Sequence, residues 1–590
     1  MTESQTKTCQ NCKQPFTIEP DDFSYYEAIN VSPPTFCPDC RLQRKMARRN
    51  ERTFYKRSCD FCHTDIISMY PKGSTFKVYC NACWWSDKWD SLEYGRGFDP
   101  GKPFFTQFYE LSLAVPRVAL YQKNPINSPY TNHNDHLKDA YLCVDSGFSE
   151  NVLYSKWLIK CKDVADSYGT RDSELCYELN ECNRCARSKY LFLCSECLDS
   201  AFLYNCRGCS HCFLSSNLRN KRYIFMNEQL TKEMYEQRMS EIDLSDPAVA
   251  KDVVGKFQGE ILAKTIRKYA TTNKVKNSTG DYLFECKNVK HSFHVYESED
   301  SAYSADAANL KDCYDAYEPA FNCERQYECH AGNRLSFSKF CSVSYDNHHL
   351  EYCEMCHGSD NLFGCIGLRD KKYCILNRQY SKEEYEKLVL EIIAQMKTVA
   401  YRDKGGREYR YGEFFPVELS PFAYNETVAQ EYFPLSKDGA AKAAFDWREP
   451  EERNYKPTKK ASDFQNIEEV PDTVIEETFE CKHKGECREQ CTVAFRVVPQ
   501  ELELYRRLDV PLPDLCPNCR HYARIAQRNP LKLWHRKCQC AGAKSENGVY
   551  SNATSHSHGM GRCPNEFETS YAPDRKEIVY CESCYNSEVV

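Results

Sequence analysis

The sequence lacks several features that would assign it to a common functional class. No run of 18 apolar residues occurs, so we expect no membrane-spanning helix. The first residues, MTESQTKTCQNC, contain no basic stretch followed by an apolar one, so we expect no secretory signal and a cytoplasmic location. Phosphate-loop, dinucleotide-binding and nucleophile-elbow motifs are missing, as are the zinc hydrolase and deaminase signatures. These absences favour a non-enzymatic protein, with a metal-dependent enzyme as an alternative.

The overall charge excludes a second class, because a net charge of −7 over 590 residues does not suit a polybasic nucleic-acid coat. The abundant residue is cysteine, with 37 copies. In a reducing compartment, so many cysteines indicate metal ligands or buried thiols rather than disulfides. They fall in four clusters, at 9–83, 143–212, 286–374 and 481–584.

The two outer clusters belong to a repeat that joins the ends of the chain. PPTFCPDCRLQRKMARRNERTFYKRSC, ending at Cys59, matches LPDLCPNCRHYARIAQRNPLKLWHRKC, ending at Cys538, at a constant offset of 479. Further on, VYCNAC, ending at Cys83, matches VYCESC, ending at Cys584, at an offset of 501. An insertion of 22 residues must therefore lie within the second copy.

Paired cysteines in both copies predict about four structural zinc ions, because two C-x-x-C knuckles supply the four thiolates of a tetrahedral site. In the N-terminal copy the predicted ligands are Cys9, Cys12, Cys37 and Cys40, then Cys59, Cys62, Cys80 and Cys83. In the C-terminal copy they are Cys487, Cys491, Cys516 and Cys519, then Cys538, Cys540, Cys581 and Cys584. Cys481 is an alternate for the first of these sets, and Cys563, His556 and His558 are either replacement ligands or loop residues.

The central clusters carry a shorter repeat. Cys182, Cys194 and Cys206 are 12 residues apart, and NLRNKRYIFMNEQLTKEMYEQ from Asn217 recurs as GLRDKKYCILNRQYSKEEYEK from Gly367. A short fixed period predicts a duplicated, Cys/Tyr-rich β-solenoid, with a string of metal knuckles as the alternative. Its cysteines would form an inward ladder of small apolar side chains or bind metal. Each copy should lead into a helix, at 231–242 and 381–398.

A basic stripe follows the first knuckle pair of each terminal copy. Residues 41–57 hold eight basic residues and one acidic residue, and residues 520–537 hold six basic residues and no acidic one. Helical spacing predicts a cationic face that could bind backbone phosphates. Phe54, Tyr55, Trp84, Trp85, Trp89 and Trp534 could stack on bases. The alternative is a solvated face, or one paired with the acidic solenoid. The predicted contacts are Arg41, Arg44, Lys45, Arg48, Arg49, Arg520, Arg524 and Arg528.

The first C-x-x-C is separated by 24 residues from the first cysteine of P-P-T-F-C-P-D-C-R-L-Q-R, and this pattern resembles the treble-clef zinc-ribbon domains of uncharacterised bacterial proteins. YCNACWWSDKWD, PFFTQF and YGEFFPVELSPFAYNETVAQEYFPL look like segments of large hypothetical proteins from uncultured small-genome bacteria. The resemblance implies zinc ligands at the matching cysteines and supplies no activity.

Together these patterns predict a multidomain, mainly β protein with zinc-ribbon modules at both ends. The predicted segments are 1–100 (double zinc-ribbon module), 101–136 (connector), 137–227 (solenoid lobe), 228–279 (helical connector), 280–377 (second lobe), 378–400 (helix), 401–475 (linker) and 476–590 (second module). The leading functional hypothesis is a zinc-binding protein whose basic helices bind RNA or a ribonucleoprotein. A protein-interaction scaffold that uses the solenoid faces is the rival. A catalytic role for His330, or for His348 and His349 near Asp346, is the weakest alternative.

Overall fold

The computed structural model describes residues 3–319, 321–449 and 455–590. It is strand-rich, with many sheets, a few short helices and cysteine clusters near both termini. The chain forms two compact units: Met1–Leu120 with Ala270–Glu449 and Leu531–Leu533, and Tyr121–Tyr269 with Pro450–Pro530 and Trp534–Val590. Each unit therefore combines one terminal module with one central repeat, a division that the predicted linear series of segments does not contain.

The second unit contains a 14-stranded sheet, which we call repeat segment one. Its strands are Gln122–Lys123, Thr131–Asn132, Asn134–Lys138, Cys143–Val144, Gly147–Leu153, Lys156–Ile159, Lys162–Ala165, Tyr168–Arg171, Glu174–Asn180, Ala186–Phe192, Ala201–Tyr204, Ser210–Ser216, Arg222–Phe225 and Glu228–Gln229. Three two-stranded pairs complete the unit: Ile266–Lys268 with Ile578–Tyr580, Phe479–Glu480 with Ala494–Phe495, and Trp534–Lys537 with Glu566–Thr569.

The first unit contains the counterpart, repeat segment two, as a four-stranded and a nine-stranded sheet. Their strands are Thr272–Asn273, Gly280–Phe284, Ser292–Tyr296 and Ala305–Ala308, and Lys287–Lys290, Glu299–Ala302, Leu310–Lys311, Cys323–Glu324, Asn333–Ser336, Tyr345–Glu351, Asp360–Phe363, Lys372–Ile375 and Arg378–Gln379. The remaining pairs are Gln5–Thr8 with Pro15–Ile18, Tyr55–Ser58 with Asp65–Ser68, Val78–Tyr79 with Arg117–Val118, and Tyr401–Arg402 with Glu408–Tyr409.

Apart from the antiparallel strands Glu228–Gln229 and Arg378–Gln379 at their ends, both repeat segments are built from parallel pairs of strands. The partner residues of these parallel pairs lie close to 12 positions apart. In segment one, Cys176 pairs with Ser188, and Leu191 pairs with Leu203. The backbone also enters the left-handed region at every third residue over long stretches, for example at Asn151, Tyr154 and Trp157. A left-handed residue with a side chain costs about 1–2 kcal/mol. The strand hydrogen bonds on either side of each such residue offset this cost.

Every third side chain in these stretches is buried. Cys182, Cys185, Ser188 and Leu191 are at most 2% exposed, and Cys194 begins the same series again. The buried cysteines and serines of this series lie within hydrogen-bonding distance of backbone groups. The Sγ of Cys182 lies 3.4 Å from the carbonyl oxygens of Asn180 and Leu191. Cysteine and serine therefore serve this interior as small side chains that also satisfy backbone groups.

Serine side chains link the backbone of one repeat to the backbone of the next. The Ser149 hydroxyl donates to the carbonyl of Gly147 (2.9 Å) and accepts the backbone N–H of Cys161 (3.0 Å). Burial also raises the pKa of the Cys161 thiol to about 11, so that this thiol is protonated near neutral pH. These contacts favour the ladder interpretation of the central cysteines.

The helices are short and lie outside the repeat strands. In the first unit they are Pro20–Ala28, Pro38–Met46, Asn81–Trp84, Phe104–Ala114, Lys382–Thr398, Ala429–Tyr432 and Lys437–Lys442. In the second unit they are Lys232–Ser240, Pro247–Lys256, Pro499–Leu508, Pro517–Ala526 and Glu582–Val589. The two helices predicted after the repeats are confirmed, with Thr231 and Ser381 as N-caps.

The predicted connector 101–136 and the predicted linker 401–475 both contain buried, packed residues. Residues 101–136 include the helix Phe104–Ala114, whose buried phenylalanines contact Tyr352 and Phe415. In the predicted linker 401–475, Phe414 and Phe415 are fully buried. The polar and proline-rich composition of residues 440–475 led to the linker prediction, but the aromatic run near Phe414 supplies core to the first unit. Residues 450–454 of this stretch lie outside the described residues.

Candidate metal centres

Four clusters of cysteines lie in the terminal modules, and in each the Sγ atoms lie within 4.8 Å of one another. Centre 1 consists of Cys9, Cys12, Cys37 and Cys40; centre 2 of Cys59, Cys62, Cys80 and Cys83; centre 3 of Cys481, Cys491, Cys516 and Cys519; and centre 4 of Cys538, Cys563, Cys581 and Cys584. Four thiolates at such separations can hold a zinc ion or another soft metal.

The local structure around centre 1 explains how the sequence brings its ligands together. Cys9 and Cys12 lie in the turn between the strands Gln5–Thr8 and Pro15–Ile18, and Cys37 is the N-cap of the helix Pro38–Met46. The backbone N–H of Cys37 donates to the Sγ of Cys9 (3.3 Å). Centre 2 repeats this arrangement, because Cys80 caps the helix Asn81–Trp84 and donates to Cys59 (3.2 Å). The structure thus assembles both predicted N-terminal sets.

Centre 3 differs from the predicted set in one cysteine. The backbone N–H of Cys516 donates to the Sγ of Cys481 (3.2 Å), so Cys481 occupies the position that Cys9 has in centre 1. The predicted ligand Cys487 is adjacent, with its Sγ 3.7 Å from that of Cys519. The sequence favoured Cys487 because of its spacing to Cys491. In the structure, the strand pair Phe479–Glu480 with Ala494–Phe495 places Cys481 beside the N-terminus of the helix Pro517–Ala526.

Centre 4 groups Cys563, and not the predicted Cys540, with Cys538, Cys581 and Cys584, whereas Cys540 lies in a neighbouring group of potential ligands. The backbone N–H of Cys581 again donates to the first cysteine, Cys538 (3.2 Å). The signal was present in the sequence: the offset of 501 that relates Cys83 to Cys584 also relates Cys62 to Cys563. The sequence prediction instead chose Cys540, because it forms a C-x-C pair with Cys538.

The predicted basic residues of the first module are all buried. The helix Pro38–Met46, which we call the first basic helix, packs against repeat segment two, where Arg41 and Lys45 face Asp315 (2.9 and 3.8 Å). Arg44 pairs with Glu328 (2.8 Å). Beyond the helix end, Arg48 pairs with Glu354 (3.3 Å) and Arg49 pairs with Glu51 and Glu318.

Repeat segment one receives the second basic helix, Pro517–Ala526, in the same way. Asp166, which is 0% exposed at its side chain, accepts hydrogen bonds from both Arg520 and Arg524, the latter at 2.7 Å. Arg528 lies 3.2 Å from Glu181. The eight basic side chains predicted to contact nucleic acid are at most 6% exposed. In this arrangement a phosphate cannot reach them.

Two carboxylates that contact these arginines, Glu354 and Glu178, have shifted pKa values. Burial alone would raise the pKa of Glu354, but the guanidinium groups of Arg117 and Arg48 outweigh it and hold the pKa at about 2. Burial raises the pKa of Glu178 to about 7, against the opposing charge of Arg524. Arg117 lies 3.0 Å from Glu354 and, like the basic helix, comes from the terminal part of the chain. The charges therefore bind the terminal module to the repeat.

The aromatic residues proposed to stack on bases are divided between core and surface. Trp84 and Trp89 are buried, and the indole N–H of Trp84 donates to the carbonyl of Pro116 (3.1 Å). Trp85 is about half exposed, whereas Phe54, Tyr55 and Trp534 are partly buried.

The candidate histidines are not assembled into a catalytic arrangement. His330 is fully buried, and burial lowers its pKa well below the usual value, so that it is neutral. His348 and His349 are exposed on the strand Tyr345–Glu351, where His349 contacts Asp360 (3.0 Å).

Comparisons with known proteins leave the family open. No family model matches the chain, and no curated protein matches it. A solved structure described as a putative acetyltransferase from Desulfovibrio desulfuricans G20 aligns with 52% of this chain and 79% of its own, at 8% identity and a TM-score of 0.10. None of the helices in the described ranges has the length and apolarity needed to cross a membrane.

Proposed function

We propose that this chain is a non-enzymatic, zinc-stabilised interaction scaffold. In this proposal the four cysteine centres hold zinc in treble-clef zinc-ribbon modules, and each module binds one of two β-solenoids. The observation that carries it is the burial of all eight basic residues against carboxylates of the repeat segments. The basic helices then serve as internal attachments, and the outer faces of the repeats are left for partners.

Zinc in a structural role is supported by the chemistry of the four centres. Each offers four thiolates, which fill a tetrahedral zinc ion and leave no open position for a water or a substrate. The recurring hydrogen bond from the N-cap cysteine to the first cysteine orients the sulfur atoms before a metal arrives. A closed shell of this kind stabilises a fold and does not catalyse a reaction.

The solenoid assignment is supported by the constant strand register and by the left-handed residue at every third position. Together they place equivalent side chains of successive repeats above one another. On the outside this produces ladders of paired charges 12 residues apart. Examples are Arg184 with Glu196 (3.1 Å) and Arg187 with Asp199 (2.7 Å), in which both arginines are more than half exposed.

Such a surface suits a folded protein partner. Exposed ion pairs contribute only about 0–1 kcal/mol each to folding, so the ladders can exchange their internal partners for external ones at little cost. Mixed charges also do not produce the single positive field that nucleic-acid binding requires. RNA binding through the basic helices would first require the helices to leave the repeats.

In-cell cross-linking of the full chain tests this function. We expect cross-linked peptides on the ladder faces, and we expect the double variant Arg184→Glu/Arg187→Glu to lower the yield of cross-linked protein about tenfold. Lys232→Glu is the matched control, because Lys232 is exposed to a similar extent but lies on a helix outside the ladders. Nucleotides cross-linked within 41–57 or 520–537 would instead support the nucleic-acid hypothesis, and an unchanged yield in the double variant would reject the ladder faces.

A further inference from the structure

The second half of the C-terminal module contains an insertion that the N-terminal module lacks, and the inserted residues have their own chemistry. The hairpin Tyr55–Ser58 with Asp65–Ser68 corresponds to Trp534–Lys537 with Glu566–Thr569. In the first module a six-residue turn, 59–64, connects the strands, whereas in the second module residues 538–565 do so. The longer connection contains two of the four cysteines of centre 4, Cys538 and Cys563, and adds Cys540, His556 and His558.

These added residues form a second group of metal-binding atoms. Cys540, His556, His558 and Cys584 each offer one ligand atom, and the four atoms lie within 4.8 Å of one another. His556 Nδ1 is 3.1 Å from the Sγ of Cys540, and His558 Nε2 is 3.4 Å from the same sulfur. His558 Nε2 is also 3.3 Å from the Sγ of Cys584. Two imidazoles and two thiolates are a common ligand set for zinc.

Contacts outside the group direct both imidazoles toward the sulfur atoms. The outer nitrogen of His556, Nε2, is 2.8 Å from the carboxylate of Glu588, which is fully buried. The outer nitrogen of His558, Nδ1, is 2.9 Å from the carbonyl oxygen of Gly561. Ligating histidines commonly donate their outer N–H to a carboxylate or a carbonyl in this way. His556 is buried and His558 is partly buried.

Cys584 belongs to both groups. It is the fourth cysteine of centre 4 and also a member of the group with Cys540. We propose that Cys584 is a bridging thiolate that joins two zinc ions, one in centre 4 and one held by Cys540, His556 and His558. The inference rests on the proposed zinc occupancy of the cysteine centres and adds a dinuclear cluster to the C-terminal module.

The number of ligand atoms favours two metal ions over one. Five cysteines and two histidines meet at this place, and all of them except His558 are buried. One tetrahedral zinc ion takes only four ligands, whereas two ions that share Cys584 take all seven.

Elemental analysis of the purified full chain gives the first test. We expect about five zinc ions per chain, and about four in the double variant His556→Ala/His558→Ala. Cys584→Ser should lose two, because it serves both ions. Cys83→Ser is the matched control: Cys83 is the counterpart of Cys584 in a module without the insertion, and it should lose one.

Cobalt substitution gives a readout that does not depend on a variant folding. Two Co(II) ions that share a thiolate couple their spins, so the fully loaded protein should show the resonance of three isolated ions. The histidine double variant should show the resonance of four isolated ions. Its signal should therefore be stronger than that of the unaltered chain, although it holds one metal ion fewer. Four zinc ions in the unaltered chain, or five uncoupled cobalt ions, would overturn the bridge. Fewer than two zinc ions would overturn the zinc proposal itself.

Discussion

Removing the metal ions with a chelator is expected to unfold the terminal modules and to expose the buried basic helices to trypsin. Structural zinc supplies about 10–16 kcal/mol of folding free energy per site in small zinc modules. The cysteine centres hold the N-termini of both basic helices, because Cys37 and Cys516 are their N-caps. Loss of metal should therefore release a helix from its repeat segment. Mass spectrometry of the tryptic fragments should show rapid cleavage within 41–57 and 520–537 only after chelation.

The double variant Cys37→Ser/Cys40→Ser should reproduce this at one end, with the loss of one metal ion and cleavage within 41–57 alone. Cys161→Ser is the control, because that thiol lies in the interior of a repeat and a hydroxyl can likewise donate to the carbonyl of Ile159 or to that of Thr170. It should leave the metal content and the trypsin resistance unchanged. Continued resistance of the chelated protein would contradict a structural role for the metals.

Replacing Asp166 with asparagine is expected to destabilise the second unit by about 3–5 kcal/mol. The substitution keeps the shape of the side chain but removes the charge that Arg520 and Arg524 share, and it leaves two buried guanidinium groups undercompensated. Thermal unfolding of the metal-loaded protein, followed by trypsin sensitivity of 520–537, measures the effect.

Asp199→Asn is a closely matched control. Asp199 also has a left-handed backbone (φ 47°, against 50° for Asp166), so the strain that asparagine must accept is the same in both variants. Its partner, Arg187, is exposed, and such pairs contribute about 0–1 kcal/mol. Equal effects of the two substitutions would show that the buried contact is not the attachment of the basic helix.

Local patterns in the sequence were sufficient to predict the N-terminal cysteine centres, the two capped helices and the 12-residue repeat. Each depends on residues that are close in the sequence; even the two knuckles of centre 1 are joined by Cys12 and Cys37, which are only 25 positions apart. The burial of the basic stripe, in contrast, depends on contacts between residues that are far apart in the sequence. Arg41 and Asp315, for example, are 274 positions apart. A helical face rich in arginine has the same sequence pattern whether it meets a phosphate or a buried carboxylate.

The repeat itself was clearer in segment one than in segment two for a physical reason. In segment two, Thr272 pairs with Leu283, 11 positions on, and Leu310 pairs with Cys323, 13 positions on. Single-residue changes in coil length break the period in the sequence, while the strands still pair. The inner period of three was missed because serine, leucine and cysteine share the buried positions, and no single residue type marks them.

Each unit is formed by separate segments of the chain, and this has a consequence for synthesis on the ribosome. The first unit takes residues 1–120 and then resumes at residue 270, so the first basic helix is made long before Glu328 and Glu354. At about 5–20 residues per second, the wait between them is roughly 15–60 s. During that interval the nascent chain presents a cationic helix with no internal partner. A newly made chain therefore has a charged surface that the finished protein has buried, and a chaperone or the ribosomal RNA beside the exit site would meet it first.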